Sequence, residues 1–301
     1  MKHLVKPSFV SNFTLPVRLA MWGPGIENSN FSAVSGDYLE GVAAAEDFFR
    51  ARIDVLRVGF KNSESVNFGA LRPPDDHVVV GQRGSIRVQR VADVAFTPVN
   101  PENPQPVVMA MLNADCPGVF AVEHNDEGHV VGCWFAHAGL DCLLPKEPNK
   151  YTVLETIWEQ RQALGLRGKI DFYFGGGIGP CCYGLESILE VKTRLMERCR
   201  SAVEAEKFIR QSVLGPRCGQ ASVSLGELFK AEVAKTFSRT ALLSVSIDDT
   251  CTACLGISEG VNKRLLWSHV YDGGANKVPL NPRNFTCFSW RPLPPRPSER
   301  R

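Results

Sequence analysis

The 301-residue sequence has almost no charge imbalance, with 34 Lys and Arg against 32 Asp and Glu and a formal net charge of +2. No basic run is interleaved with aromatic residues, the pattern a nucleic-acid groove requires, so nucleic acid is not expected as a partner. No apolar stretch approaches the roughly 20 residues of a membrane span. The first residues, MKHLVKPSFV, lack the apolar centre of a signal peptide. The expectation is a cytoplasmic protein with no membrane partner. Histidine is scarce, at 6 residues, which argues against the His-rich clusters of multicopper oxidases. There is no Gly-x-Ser-x-Gly elbow, and the one glycine-rich loop has neither the lysine of a P-loop nor the spacing of a dinucleotide fingerprint.

What the chain does have is an ordinary globular composition, 44% hydrophobic, and enough length to bury a large core. Its 10 cysteines are scattered; without an export signal they are expected as reduced thiols, mostly buried as small hydrophobes. The single Cys-x-x-Cys, Cys251 and Cys254 in CTAC, has no second pair at zinc-ribbon spacing, so packing or a loop role is the expectation there. Short runs rich in branched and aromatic residues predict buried strands at Val107 to Leu112, Val130 to Ala136, Ile170 to Phe174 and Leu242 to Ile247. Between them, three- and four-residue spacing predicts helices. One buries Val153, Leu154, Ile157, Trp158 and Leu164; a second buries Leu185, Ile188, Leu189, Leu195, Met196 and Cys199. A third starts near Ser224, capped toward Glu227, and buries Leu225, Leu228, Phe229 and Phe237. Strands followed by helices indicate an α/β layered domain. It is expected to span residues 1–290, with the Pro- and Arg-rich 291–301 as a mobile tail.

Cys116 follows the first of these strands by a few residues and His137 directly follows the second. In α/β sheets the crevice beyond strand ends is where ligands bind, and a thiolate beside an imidazole can hold a metal or act as nucleophile and base. The glycines of GGGIGP, Gly177 and Gly179 among them, follow a third strand and precede a helix. Their amides could face an anion, or they could simply form a tight turn. His124 and His129 fall in the polar turn EHNDEGH and are expected to be solvated.

Three segments, NADCPGVF, FAHAGL and GGGIGPCCYG, are similar in order and spacing to Ala-Asp-Cys-Leu-Pro, His-Ala-Gly-Trp-Arg-Gly and Gly-Pro-Ala-Ile-Gly-Pro-Cys-Cys-Tyr of the laccase-domain family. That family is also described as polyphenol oxidoreductases, purine nucleoside phosphorylases or peptidoglycan editing factors. Weaker likenesses lie in NFSAVSGD, VADVAFT, CTAC and WSHVYDGG, so the resemblance covers about Asn30 to Gly274. It implies a single layered domain of mixed β-sheets and helices, a fold related to the catalytic domain of the cytotoxic necrotizing factor toxins. It also implies a zinc held by two histidines and a cysteine, and activity on purine nucleosides by phosphorolysis, hydrolysis or deamination. Cys116 and His137 match the family's cysteine and second histidine ligand. The first, in Gln-Val-His-Gly, has no direct counterpart, which leaves His77 or Asp75 as the third ligand.

Further departures bear on the chemistry. Leu140 and Asp141 stand where the family has Trp-Arg, and Val270 and Tyr271 where it has paired arginines. Arginine is the natural clamp for phosphate oxyanions, so both losses weigh against phosphorolysis. The resemblance makes Cys116 and His137 the expected catalytic pair, with Gly177, Gly179, Cys181 and His269 lining the pocket for a small-molecule substrate. Two other readings stand beside this one. Cys116 activated by His137 suffices for a metal-free hydrolase or amidase, as the pair that deamidates glutamine in the necrotizing factor toxins illustrates. A catalytically inactive binding protein would keep the pocket without the chemistry.

Overall fold

The structure, a computed structural model, describes residues 6–11, 13–14, 16–23, 37–51, 53–57, 68–70, 78–81, 84–91, 93–184, 188–199, 201–217, 220–237, 241–255, 266 and 283–292. Two sheets dominate them. The first has seven strands in the order β1 (Phe9–Val10), β2 (Val17–Trp22), β15 (Asn284–Trp290), β8 (Val107–Asn113), β3 (Asp54–Arg57), β6 (Gly84–Val91) and β5 (Val78–Gly81). The second has six: β14 (Leu242–Ile247), β11 (Ile170–Gly175), β9 (Gly118–His124), β10 (Val130–His137), β7 (Val94–Pro98) and β4 (Phe68–Ala70). A two-stranded ribbon joins β12 (Val213–Arg217) to β13 (Gln220–Val223).

Side-chain alternation along the strands sets the layers. In β9, Phe120 and Val122 point into a core shared by the two large sheets, with Met109 and Met111 of β8 and Phe288 of β15. The alternate residues Val119 and Ala121 point the other way, toward helices. These helices are α2 (Leu140–Leu143), α3 (Val153–Ala163), α4 (Ile188–Arg198), α5 (Ala202–Ser212) and α6 (Leu225–Thr236). On the outer face of the first sheet, Ala20, Trp22, Phe285 and Cys287 meet Ala44, Ala45 and Phe49 of α1 (Asp37–Phe49). The order is therefore helix, sheet, sheet, helices. Each large side chain so buried contributes about 1.5–3 kcal/mol.

The four expected strands are β8, β10, β11 and β14, and the three expected helices are α3, α4 and α6. Leu225, Leu228, Phe229 and Phe237 are buried as expected, and Ser224 caps α6 by accepting from the Glu227 amide at 3.2 Å. Several details differ. The run at Leu242 to Ile247 forms an edge strand, so it is only partly covered and Leu243 is 51% exposed. In α4 the buried stripe is Val191, Arg194 and Leu195, which leaves Leu189 and Met196 outside. Leu164 is likewise exposed, because α3 ends one residue before it. Of the nine described cysteines, all free, only Cys133, Cys142, Cys251 and Cys287 are buried. No helix among the described residues is long and apolar enough to cross a membrane. The Pro- and Arg-rich tail beyond 292 lies outside them.

Candidate functional site

Three chain segments converge at one end of the second sheet. Strands β7 and β10 run antiparallel with Val94 opposite Ala136, which brings Asp93, just ahead of β7, beside His137, the last residue of β10. The His137 amide donates to the Asp93 carbonyl at 2.9 Å. On the other flank His137 lies opposite Gly118 of β9. The connection from β8 in one sheet to β9 in the other carries Cys116, and the Ala138 amide donates to the Pro117 carbonyl at 2.9 Å. Sheet register therefore places Cys116, His137 and Asp93 together, although 44 residues of chain with no shared motif separate Asp93 from His137.

The side chains complete the arrangement. Cys116 Sγ and the Nε2 edge of the His137 imidazole face the same space beside Gly139, and Cys116 is among the groups that raise the pKa of that ring. Gly139 leaves the space above them free: a Cβ there would lie 3.1 Å from Cys116 Sγ and 3.2 Å from His137 Nε2. The opposite edge of the ring, Nδ1, faces Cys142 Sγ at 3.4 Å and the Asp93 carboxylate at 3.5 Å. Burial pushes the pKa of His137 down, but Cys142, Cys116 and Asp93 together outweigh it, and the imidazole stands well above its ordinary 6.5. A thiol, an imidazole and a carboxylate in this sequence are the elements of an activated nucleophile, its base and the group that orients the base.

Two further groups surround Cys116. Arg283, just ahead of β15 and 8% exposed, has its pKa lowered by burial against the opposing pull of Cys116 and Asp115. Tyr183 is kept a neutral phenol by burial and by the nearby Cys116, Asp141 and Asp115. Asp141, at the position where the resemblance leads one to look for arginine, accepts from Arg194 at 2.8 Å. Behind the pair, the Asp115 carboxylate accepts from the Thr252 hydroxyl at 3.0 Å.

The glycine-rich turn holds the Cys116 loop in place. Asn113 Nδ2 donates to the carbonyls of both Cys116 and Gly176 at 2.7 Å, and the Ile178 amide donates to the Asp115 carbonyl at 2.7 Å. At Gly177 a Cβ would lie 2.5 Å from the Pro117 nitrogen, so the close approach of two backbones requires glycine there. Gly177 and Gly179 line a small cavity with Pro117, Leu225, Asp248 and Asp249. Cys181, expected to line the pocket, lies in a group of four cysteines with Cys182, Cys251 and Cys254. His77, Asp75 and His269 lie outside the described residues.

No family model and no curated protein sequence matches the chain. Among solved structures it is similar to the Bacillus licheniformis hypothetical protein YfiH, with a TM-score of 0.59 at 15% identity over 92% of this chain and 93% of that one. It is also similar to the Neisseria meningitidis protein NMB0706, of the family DUF152, with a TM-score of 0.56 at 14% identity over 94% of this chain and 98% of that one. The chain has the laccase-domain fold.

On this laccase-domain scaffold the donor set can be compared with the zinc site the motifs imply. Cys116 and His137, the two carried-over ligands, face the same space beside Gly139. A catalytic zinc takes three protein ligands and keeps a fourth position open, and the two third-ligand candidates fall outside the described residues. Asp93, His137 and Cys142 form another group whose donor atoms lie within 4.8 Å of one another. It uses the Nδ1 edge of the ring, so an ion there would be a different site from one shared with Cys116. Sequence reasoning missed Asp93, Cys142, Tyr183 and Arg283. Asp93 lies in VADVAFT, a segment that did carry a signal; a lone arginine ahead of an unread strand carried none.

His124 is a correction. It is not solvated: its side chain is 17% exposed, with Nε2 2.9 Å from the Asp171 carboxylate and Nδ1 3.3 Å from the Gly128 carbonyl. Strands β9 and β11 lie side by side, which places the two residues together. His129, 63% exposed, is solvated as expected.

Proposed function

We propose that the chain is an enzyme that breaks a carbon–nitrogen bond of a purine nucleoside or a similar nitrogen heterocycle, by hydrolysis, deamination or phosphorolysis, at a pocket centred on Cys116 and His137. The observation that carries this reading is the convergence of those two side chains on the space beside Gly139, at the ends of β8, β9 and β10. Arg283 adds buried positive charge beside Cys116, where a developing negative charge on the substrate would be stabilised. It also supplies a cation that the altered motif positions lack. A zinc held by Cys116 and His137, with His77 or Asp75 as the third ligand, would supply Lewis acidity or an activated water.

Asp93 favours a second reading, a metal-free hydrolase or amidase. There His137 takes the Cys116 thiol proton, the sulfur attacks the carbonyl carbon of an amide, and His137 returns the proton to the leaving nitrogen as the carbon–nitrogen bond breaks; water, giving a proton to His137, then attacks the thioester carbon, and the carbon–sulfur bond breaks to release the acid and, reprotonated by His137, the Cys116 thiol. Asp93 beside Nδ1 keeps the ring oriented and stabilises its protonated form.

Metal content and thiol reactivity separate the two. Protein purified without chelator is compared with Cys116→Ala and His137→Ala, and each is offered nucleosides and amides. Zinc bound at this site, lost in both variants, together with nucleoside turnover supports the first reading. Rapid iodoacetamide trapping of Cys116 with no zinc at this site supports the second. Ligand binding without turnover of either substrate class would overturn both and leave a binding protein.

A further inference from the structure

The four cysteines around Cys254 are unaccounted for by either reaction. Cys181 and Cys182 are consecutive, in the turn after β11; about 70 residues further on, Cys251 immediately precedes α7 (Thr252–Leu255) and Cys254 lies within it. The two segments are docked, with the Thr252 amide donating to the Gly177 carbonyl at 3.0 Å, while within the turn the Cys182 amide donates to the Gly179 carbonyl at 3.1 Å. A Cβ on Gly179 would lie 2.8 Å from Cys251 Cβ, so glycine lets the segments close on each other. As a result all four sulfurs lie within 4.8 Å of one another. Cys254 Sγ is 3.3 Å from Cys181 Sγ and 3.4 Å from Cys182 Sγ.

We propose that Cys181, Cys182, Cys251 and Cys254 form a structural site for one thiophilic divalent ion, zinc first, separate from the Cys116 and His137 pocket. Four thiolates at about 2.3 Å from a tetrahedral ion stand about 3.8 Å from one another; the spacings of 3.3 and 3.4 Å to Cys254 fall a few tenths of an ångström below that, and no pair exceeds 4.8 Å. Sulfurs this close leave room for a single ion and none for the bridging sulfides of a multi-iron cluster. Tetrahedral sulfur coordination selects zinc over the hard cations magnesium and calcium. Cys251 is buried and Cys254 exposed, so the site is anchored from inside and open to an entering ion. Binding converts four thiols to thiolates and releases four protons to solvent, which makes it weaker at low pH. The consequence for the fold is a clamp between the glycine-rich turn and α7. Thr252 is part of that clamp and donates to Asp115, the neighbour of Cys116.

The test uses the full chain, with the double variants Cys116→Ala/His137→Ala and Cys181→Ser/Cys254→Ser. Mass spectrometry should find one zinc per chain retained in the first variant and lost from the second. Absence of metal from the first variant, or a zinc content in the second equal to that of wild type, overturns the proposal. Since the serine variant could lose metal by misfolding, wild-type and Cys116→Ala/His137→Ala proteins are also stripped and refilled. Added zinc should protect four thiols from titration, a chelator should expose them again, and cobalt should give the intense charge-transfer bands of a tetrahedral thiolate site. Loss of two thiols, restored by reductant and unaffected by chelator, would mean a disulfide-forming pair and sink the metal site.

Discussion

Gly139 shows what a single residue contributes to the pocket. Its backbone, at φ −62° and ψ 168°, suits any L-residue, so alanine there brings no backbone strain. The added methyl would stand 3.1 Å from Cys116 Sγ and 3.2 Å from His137 Nε2. Gly139→Ala is expected to slow iodoacetamide trapping of Cys116 and substrate turnover by roughly 10- to 100-fold, as a displacement of about an ångström does. Its melting temperature should stay near that of wild type, and unchanged trapping would show that the space above the pair is not used. Asp93→Asn removes a charge without changing shape. The pKa of His137, followed by NMR titration of its ring proton, should fall toward 6.5 because one of the groups that raises it is gone. Cys116 and His137 were legible because each follows a strongly apolar run. Asp93 and Arg283 were not, since their places depend on which strands become neighbours, and that pairing has no local signature.

The element scale is governed by satisfied polar groups inside the layers. Helix α3 is tied to the second sheet by Arg161, 1% exposed, whose Nε and Nη2 donate to Glu123 of β9 at 2.6 to 3.0 Å. Glu123 also accepts from Trp134 Nε1 at 3.2 Å, and Arg161 donates to the Gly168 carbonyl at 2.8 Å. Arg161→Leu would leave a carboxylate uncompensated at 0% exposure, a change that costs about 3–5 kcal/mol. Urea denaturation should show that loss, and the double variant Glu123→Leu/Arg161→Leu should recover much of it. A single variant within about 1 kcal/mol of wild type would mean that water reaches the carboxylate. The same polar bonding explains why β15, one of the strands not expected from the sequence, escaped notice. Strand β15 is buried along its whole length, yet Asn284, Thr286 and Ser289 interrupt its apolar pattern. Asn284 Nδ2 donates to the Ala114 carbonyl at 3.3 Å and the Thr286 hydroxyl to Asn113 at 2.5 Å, so these residues can be buried where hydropathy alone would place them outside. At α3, the reciprocal cap in which Thr152 and Glu155 satisfy each other's amides at 3.1 and 2.8 Å was present in the sequence as the Thr-x-x-Glu signal.

For the whole molecule, an α/β layered domain was foreseeable from strand and helix alternation, whereas its division into two facing sheets was not: β8 and β9 are consecutive, yet only β-pairing over long sequence distances assigns them to different sheets. Within the second sheet, the pairing of β9 with β11 gives the molecule a pH-sensitive link. His124 on β9 has an acceptor at each ring nitrogen, the Asp171 carboxylate on β11 and the Gly128 carbonyl. Only the imidazolium can donate to both. Its pKa is accordingly raised from 6.5, first by the hydrogen bond to Asp171 and against the cost of burial. A raised folded-state pKa means that the folded protein holds the proton more tightly than the unfolded chain does. The resulting stability is fully present below about pH 6.5 and is lost as pH rises through the folded-state value. Glutamine at this position keeps hydrogen-bonding capacity without the titration. The unfolding free energy of wild type relative to His124→Gln should therefore be larger at pH 6 than at pH 9, read from denaturant midpoints at the two pH values. An equal difference at both would show that the link is a neutral hydrogen bond and that the pH dependence of the fold lies elsewhere.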